Sequence, residues 1–391
     1  MIGVKEAKGE ARTHYTKCWL SLRGQKTHLS VRQKTPGELD SRQLRPQQCF
    51  MKLERIENGL AIRVPAKVNL SLDVLGKRAD GYHQIDSIMC PVTLFDRLEL
   101  TSTGSNRIEF SITSATERSA SQASYDPAWS IPVDWSNLVV RALEAVRMEL
   151  GQANGCCVTL HKQIPAAAGL GGGSADAAAA IVAGLSVWGR WDRELAMRIA
   201  SRLGSDIPFF LGDQTIGVGM ARATGRGEEI EMLREQEPLC FVITHPPVGS
   251  STAAVYQSWH QTDANQRNES SSSEQVHAVL SNQDATQGPG ERTATMVEQL
   301  ESVMRNALQP SAARLTDWIA RQLTYFQQLG KPNAMISGSG SACFALVDDL
   351  DQGNQLAENM IQLGLPRAFA AEAWYAPPIE QQLERLIPDL N

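Results

Sequence analysis

The stretch Pro165-Ala166-Ala167-Ala168-Gly169-Leu170-Gly171-Gly172-Gly173-Ser174-Ala175-Asp176 decides how the chain is read. Four glycines fall within positions 169–173, and an alanine run to Ala180 follows at once. Glycine has no Cβ, so the backbone can adopt φ > 0 and a ligand can approach its N–H groups closely. Alanine favours helix. A helix N-terminus offers unpaired N–H donors and a partial positive charge. Together these features predict an anion site, most often one for phosphate. Asp176, expected in the first turn, suits the same dipole. From the glycines alone, a tight turn where a helix packs on a sheet is the competing explanation. Two other glycine loops fit less well. A Walker-type loop ends in Gly-Lys-Ser or Gly-Lys-Thr, and neither pair occurs here. A dinucleotide fingerprint counted from Gly169 puts Ser174 where its last glycine belongs, and its acidic partner, Glu194, falls inside a further helix.

Working outward, Cys157 to Ile164 alternates as a strand and feeds straight into Pro165. Helices are predicted over Asn137–Leu150, capped by Ser136 or Asn137 and ended by Gly151, and over Asp192–Leu203. Alternation predicts strands at Ala61–Pro65 and Val68–Leu75, with Lys67 between them, and at Gln84–Met89 after a turn at 76–81. Further strands are expected near 97–101 and 107–112, with a Ser- and Pro-rich loop over 113–135. Strand and turn are expected over 217–230, then a buried strand Leu239–Ile243 and a helix Ala253–Trp259. Residues 261–293 are Gln-, Asn-, Ser- and Glu-rich and read as a low-complexity surface insertion. Helices are expected over 296–308, 311–329 and 356–363, and strands over 334–337, 342–347 and 368–376. A second glycine loop, Gly338-Ser339-Gly340-Ser341, separates two of these strands.

The chain has 391 residues, 42% apolar and 20% charged, enough for two domains with a sizeable core. Its net charge of −6 argues against a general nucleic-acid binder. The seven cysteines are odd in number and form no CxxC pair, as expected of free thiols in a reducing compartment. No apolar run reaches the ~18 residues needed to span a membrane and no apolar signal region is apparent, so the expected location is cytoplasmic, without membrane association. Residues 1–50 carry ten Lys and Arg against four Asp and Glu. Residues 1–52 read as a disordered extension, with Met51 a possible true start.

Four pieces can meet in one site: the 165–176 loop, Lys67, Asp206 and the 338–341 loop. Phosphoryl transfer needs positioning and charge neutralisation more than covalent chemistry. Asp206 can orient an acceptor hydroxyl or take its proton, and Lys67 can neutralise the transferring group or keep Asp206 ionised. Taken singly, Asp206 equally fits a helix cap before Pro208, and Lys67 a surface lysine at a strand edge.

At these residues the chain resembles the GHMP small-molecule kinases, which act on galactose, homoserine, mevalonate and phosphomevalonate among others. The loop Pro165 to Ala178 is similar to that family's ATP loop. Pro65-Ala66-Lys67-Val68-Asn69-Leu70-Ser71-Leu72, Arg78-Ala79-Asp80-Gly81-Tyr82-His83 and Gly204-Ser205-Asp206-Ile207-Pro208-Phe209-Phe210 resemble the branch whose acceptor is a cytidine-diphospho sugar alcohol. Ser337 to Ser341 resembles the third family motif.

The resemblance covers about 59–376 and implies an α+β fold in two lobes. The first lobe, about 53–225, would be ribosomal-protein-S5-like and hold the ATP loop. The second, about 226–391, would be ferredoxin-like and carry the 261–293 insertion. It further implies Lys67 and Asp206 as the catalytic pair, and ATP on Pro165, Ala166, Ala167, Ala168, Gly169, Leu170, Gly171, Gly172, Gly173, Ser174 and Ala175. Tyr82 would stack on the cytosine and His83 would hydrogen-bond it. Asn69, Thr252 and Tyr256 would be further substrate contacts, with Tyr256 over the other face of the base. Mg²⁺ is expected with ATP, with Ser174 as its ligand, in a monomer or homodimer. Where the family loop usually carries glycines before Leu170, this chain has Ala167 and Ala168. The competing expectations are a homoserine- or mevalonate-type kinase of the same fold and an inactive nucleotide-binding module.

Overall fold

Two antiparallel hairpin arms dominate the computed structural model, which describes residues 52–114, 131–233, 238–261, 271–281 and 289–386. The extension at 1–51 and most of the 113–135 loop lie outside the described residues. After β1 (Leu53–Ile56), the segments expected as separate strands fuse into β2 (Gly59–Lys77) and β3 (His83–Ser102). They pair from Gly59 opposite Thr101 to Lys77 opposite His83. Register shifts at Pro65/Ala66, Asn69/Ser71 and Val74/Gly76 absorb Pro65, which lacks the N–H that a regular ladder requires, and bend the ribbon.

The next elements are β4 (Ile108–Ser114), α1 (Leu138–Leu150), β5 (Cys156–Lys162), α2 (Gly172–Trp188), α3 (Arg193–Leu203) and α4 (Ile207–Leu211). Then come β6 (Ala221–Thr224), β7 (Glu229–Met232), β8 (Cys240–His245), α5 (Thr252–His260), α6 (Ser272–Ser281) and α7 (Pro289–Val303). The chain ends in α8 (Gln309–Ala313), α9 (Asp317–Gln328), β9 (Met335–Ile336), β10 (Cys343–Val347), α10 (Leu350–Gln362), β11 (Arg367–Glu372) and α11 (Ile379–Leu386).

The larger sheet runs β1-β2-β3-β5-β4, with β6 also on β3 and β7 on β6. Only β4 and β5 are parallel there. The smaller sheet runs β11-β8-β10-β9, all antiparallel. Among the described residues three apolar cores result, and β2 enters each. Ile62 and Val64 face the core beneath α1 and α2, Ala66, Val68 and Leu70 the core shared by both sheets, and Leu72 the core on the far side of the smaller sheet.

The alanines of α2 explain its place. Ala175 and Ala177–Ala180 are fully buried, and such small side chains let the helix lie close to the sheet. Asn137 caps α1 by accepting from the Val139 N–H, and Gly151 ends it at φ 60°.

The structure corrects several expectations. The lobe boundary near 225 falls inside the turn of the β6–β7 hairpin, all of which belongs to the larger sheet. The 261–293 segment is not merely surface chain. Its helix α6 docks on β2 and β3, with Val276 and Leu280 buried in the core shared by both sheets. Ser273, within the segment read as surface, is buried; its hydroxyl meets the Ser71 hydroxyl (2.8 Å) and donates to the Asp86 carbonyl (2.9 Å). The Asp73 carboxylate takes the Ser272 hydroxyl and the Ser273 N–H, capping α6 from another element. Helix 311–329 is split because Thr316 caps α9 through the Trp318 N–H. Helix α11 was not expected.

Candidate active site

Lys67 sits in the middle of β2, only 3% exposed, so it is no surface lysine. Its backbone N–H donates to the Leu170 carbonyl (2.9 Å), tying the strand to the glycine loop. Its Nζ donates to Asn69 Oδ1 at 2.5 Å and lies 3.7 Å from Asp206 Oδ2. Burial pulls the Lys67 ammonium below the ordinary lysine value, and the charge of Asp206 opposes that shift. Asp206 precedes α4 but makes no side-chain capping bond, so capping is not its role. It is held by the Ser205 hydroxyl (3.3 Å).

The two glycine loops are stitched together. The Ser337 hydroxyl donates to the Gly169 carbonyl (2.9 Å), and the Ala342 N–H to the Ala168 carbonyl (3.0 Å). Gly169 and Gly171 have φ of 78° and 73°. A Cβ at Gly171 would stand 2.9 Å from both Lys67 Cγ and Phe210 Cζ, so only glycine lets the loop lie this close to the lysine. Ala167 also takes the left-handed conformation, at φ 51°, where an L side chain costs roughly 1–2 kcal/mol. The Ser250 N–H holds its carbonyl at 2.8 Å.

Asp176 departs from its expected place. It lies beyond the first turn of α2 and faces inward. Lys162 bridges Asp176 (2.8 Å) and Asp96, all three buried. Asp96 also accepts the N–H groups of Gln163 (2.6 Å) and Ile164 (2.9 Å), just before Pro165. This cluster therefore holds both roots of the loop. Burial pushes the Asp176 carboxyl above the ordinary aspartate value. Nothing in the linear sequence marked Asp96 or Lys162, because their meaning depends on a pairing 66 residues apart.

A cavity of about 990 Å³ joins these parts. At one end lie the glycine loop with Ser174, and Leu138. In the middle are Lys67, Asn69 and Asp206. At the other end lie Tyr82, His83, Thr252, Tyr256 and His260. Tyr82, at the tip of the β2–β3 hairpin, is 55% exposed, and the Arg226 guanidinium covers its ring at 4.9 Å. Tyr256 does not stand apart as a free face for a base: its ring stacks on His83 at 4.4 Å. His83 Nε2 meets His260 Nε2 at 2.6 Å. The Thr252 hydroxyl bonds that of Ser339 (2.9 Å), and Asn69 also reaches the Ser87 hydroxyl (2.8 Å). Sequence singled out neither Arg226 nor His260.

Residues 137–213 match the family described as GHMP kinases N terminal domain, and residues 291–364 match GHMP kinases C terminal. A 4-diphosphocytidyl-2-C-methyl-D-erythritol kinase of Pelotomaculum thermopropionicum is 36% identical over 293 residues, 75% of this chain and 90% of the relative. This chain belongs to the GHMP kinases. A kinase of the same name from Rhodopirellula baltica is 33% identical, over 76% of this chain and 89% of its own.

Among solved structures, 4-(cytidine 5'-diphospho)-2C-methyl-D-erythritol kinase superposes with a TM-score of 0.60 at 28% identity, covering 80% of this chain and 98% of that one. The homoserine kinase of Cytophaga hutchinsonii, at 15% identity and a TM-score of 0.57 over 82% of this chain and 96% of its own, shares the fold. The chain is thus an ATP-dependent phosphotransferase of the two-part GHMP fold. Among the described residues, no helix is long and apolar enough to cross a membrane.

Proposed function

We propose that this GHMP kinase transfers the ATP γ-phosphoryl group to the 2-hydroxyl of 4-diphosphocytidyl-2-C-methyl-D-erythritol, a step toward isoprenoid precursors that does not pass through mevalonate. One observation carries the proposal. A single cavity runs from the glycine loop, past Lys67 and Asp206, to an end furnished with Tyr82, His83 and Tyr256. The relatives named for that substrate support the same choice.

In this mechanism the N–H groups at the start of α2 and the loop from Pro165 to Ala175 cradle the ATP phosphates. Asp206 accepts the proton of the acceptor hydroxyl as its oxygen bonds to the γ-phosphorus, and the bond to the β–γ bridging oxygen breaks to release ADP. Lys67, kept charged by Asp206, stabilises the equatorial oxygens as charge spreads over them. Asn69 fixes the Lys67 ammonium. Tyr82 offers the ring face that Arg226 leaves open for stacking, and His83 pairs with the edge of the base. Thr252 contacts the sugar-alcohol portion.

Mg²⁺, which neutralises β- and γ-phosphate charge in such reactions, fits this chain in one limited way. Ser174 lines the cavity in the first turn of α2 and can offer a hydroxyl. Asp176, the nearest carboxylate in sequence, is already engaged by Lys162. Among the described residues no group of three His, Cys, Asp or Glu side chains could hold a metal. Most ligands would come from phosphate and water.

A homoserine- or mevalonate-type activity accords poorly with the Tyr82–His83 end, since those acceptors carry no base. An inactive module accords poorly with the Lys67–Asp206 pair. The test supplies Mg-ATP with the cytidine-diphospho substrate, homoserine and mevalonate in parallel and follows ADP release. Turnover with the first alone is expected. None with it, under conditions where ATP binds, overturns the proposal.

A further inference from the structure

The His83 ring rests against three side chains of α5, Tyr256, Trp259 and His260. Among the described residues its only ring hydrogen bond joins Nε2 and His260 Nε2, at 2.6 Å, and either nitrogen can be the donor. Tyr256 covers one face at 4.4 Å, and Trp259 meets the ring edge-on at 5.8 Å. His260 is carried by α5, whose start is fixed through the Thr252–Ser339 hydroxyl contact and whose Trp259 is buried. The partner of His83 therefore sits on a fixed support and lines the same cavity.

Two imidazole nitrogens in hydrogen-bond contact need one donor and one acceptor. A neutral imidazole carries a single N–H, so whichever role Nε2 takes fixes the opposite role at Nδ1. Burial, His260 and Lys77 each disfavour the charged form of His83, which keeps this either-or choice in force near neutral pH. The other titratable side chain against the ring, Tyr256, has its hydroxyl pushed above the ordinary tyrosine value by burial. The Watson–Crick edge of cytosine presents an amino donor where uracil presents a carbonyl acceptor. A bare Nδ1 on His83 suits the first and repels the second.

We infer that His260 is a positioning residue for base choice: it accepts the Nε2–H of His83 and so leaves His83 Nδ1 as the acceptor that selects cytosine over uracil. This deepens the function proposed above and rests on it. His260 need not touch the base.

The parent, His260→Lys and His260→Gln are compared with the cytidine- and uridine-diphospho forms of the substrate. Lysine is donor-only and forces His83 to carry its proton on Nδ1. The amide of Gln serves either role. His260→Lys is expected to lose about tenfold or more of the cytidine preference in kcat/KM, and His260→Gln an intermediate part. A preference within about twofold of the parent in both variants overturns the inference, since a merely structural role would lower both substrates together. The ring ¹⁵N signals of His83 in the free parent give a substrate-independent readout. A proton on Nε2 is expected, and one on Nδ1 overturns the inference. Absence of turnover by the parent with the cytidine form counts against the proposed function, and the ¹⁵N result still decides the tautomer.

Discussion

Replacing Asp206 with Asn removes one charge and almost no volume, and its effect should travel through Lys67. The two groups are 3.7 Å apart, and Lys67 is buried while Asp206 is 28% exposed. At an effective dielectric constant of about 20, Coulomb's law gives roughly 4 kcal/mol for that separation. Solvent at the exposed carboxylate screens part of it, leaving on the order of 2 kcal/mol. In the parent, burial already holds the ammonium below the ordinary lysine value, and Asp206 is the main opposing influence.

The sign follows directly. The active form of Lys67 is the charged one, so activity is present below its pKa and is lost as pH rises through it. Asp206→Asn should move that alkaline limb to lower pH, because the charge that opposes the effect of burial is gone. It should also lower kcat by roughly 10²-fold or more through loss of the proton acceptor. The assay is kcat against pH from coupled ADP release at saturating ATP and acceptor. A kcat within about threefold of the parent, or an alkaline limb that stays in place, would refute the coupling.

Three further outcomes test other parts. Lys162→Met leaves Asp96 and Asp176 facing each other in the interior without their cation; urea unfolding should show a loss of about 3–5 kcal/mol, and a loss under about 1 kcal/mol would show that the cluster does not hold the loop's roots. Tyr82→Ala should raise KM for the cytidine substrate roughly 5–150-fold, from about 1–3 kcal/mol of stacking, with KM for ATP little changed; equal rises in both would place the ring elsewhere. Gly249→Ala puts a Cβ 2.8 Å from Ala167 Cβ, so KM for ATP should rise at least about fivefold while KM for the acceptor stays nearly constant; an unchanged KM for ATP would mean that Ala167 yields freely.

Much of this molecule was legible because its signals are local. The glycines at 169–173, the alanines behind them and the cap at Asn137 each act within a few residues. Lys67 and Asp206 were legible only as motif members, since neither spacing nor periodicity says that residues 139 positions apart lie 3.7 Å from each other. The lobe boundary failed for a related reason. Gly225 and Gly227 mark a turn, but a turn inside a hairpin and a turn between lobes have the same local chemistry. Ser272 and Ser273 misled because serine is as suited to a helix start buried against an aspartate as to solvent, and Asp73, some 200 residues away, decides between them. Ala167 is the reverse case. Alanine argues against φ > 0, yet the contacts of its carbonyl with Ser250 and of its neighbour Ala168 with Ala342 hold the loop in that shape.

The passage of β2 through all three cores bears on whether the enzyme can be divided. A fragment ending near residue 225 would take with it Ala66, Val68, Leu70 and Leu72, stripped of the side chains that cover them. A fragment beginning there would keep a four-stranded sheet with one wall of its interior missing. Neither piece would be expected to persist alone, so the gene cannot be split at that point into independently folding modules, and folding of the two parts should register as one cooperative event.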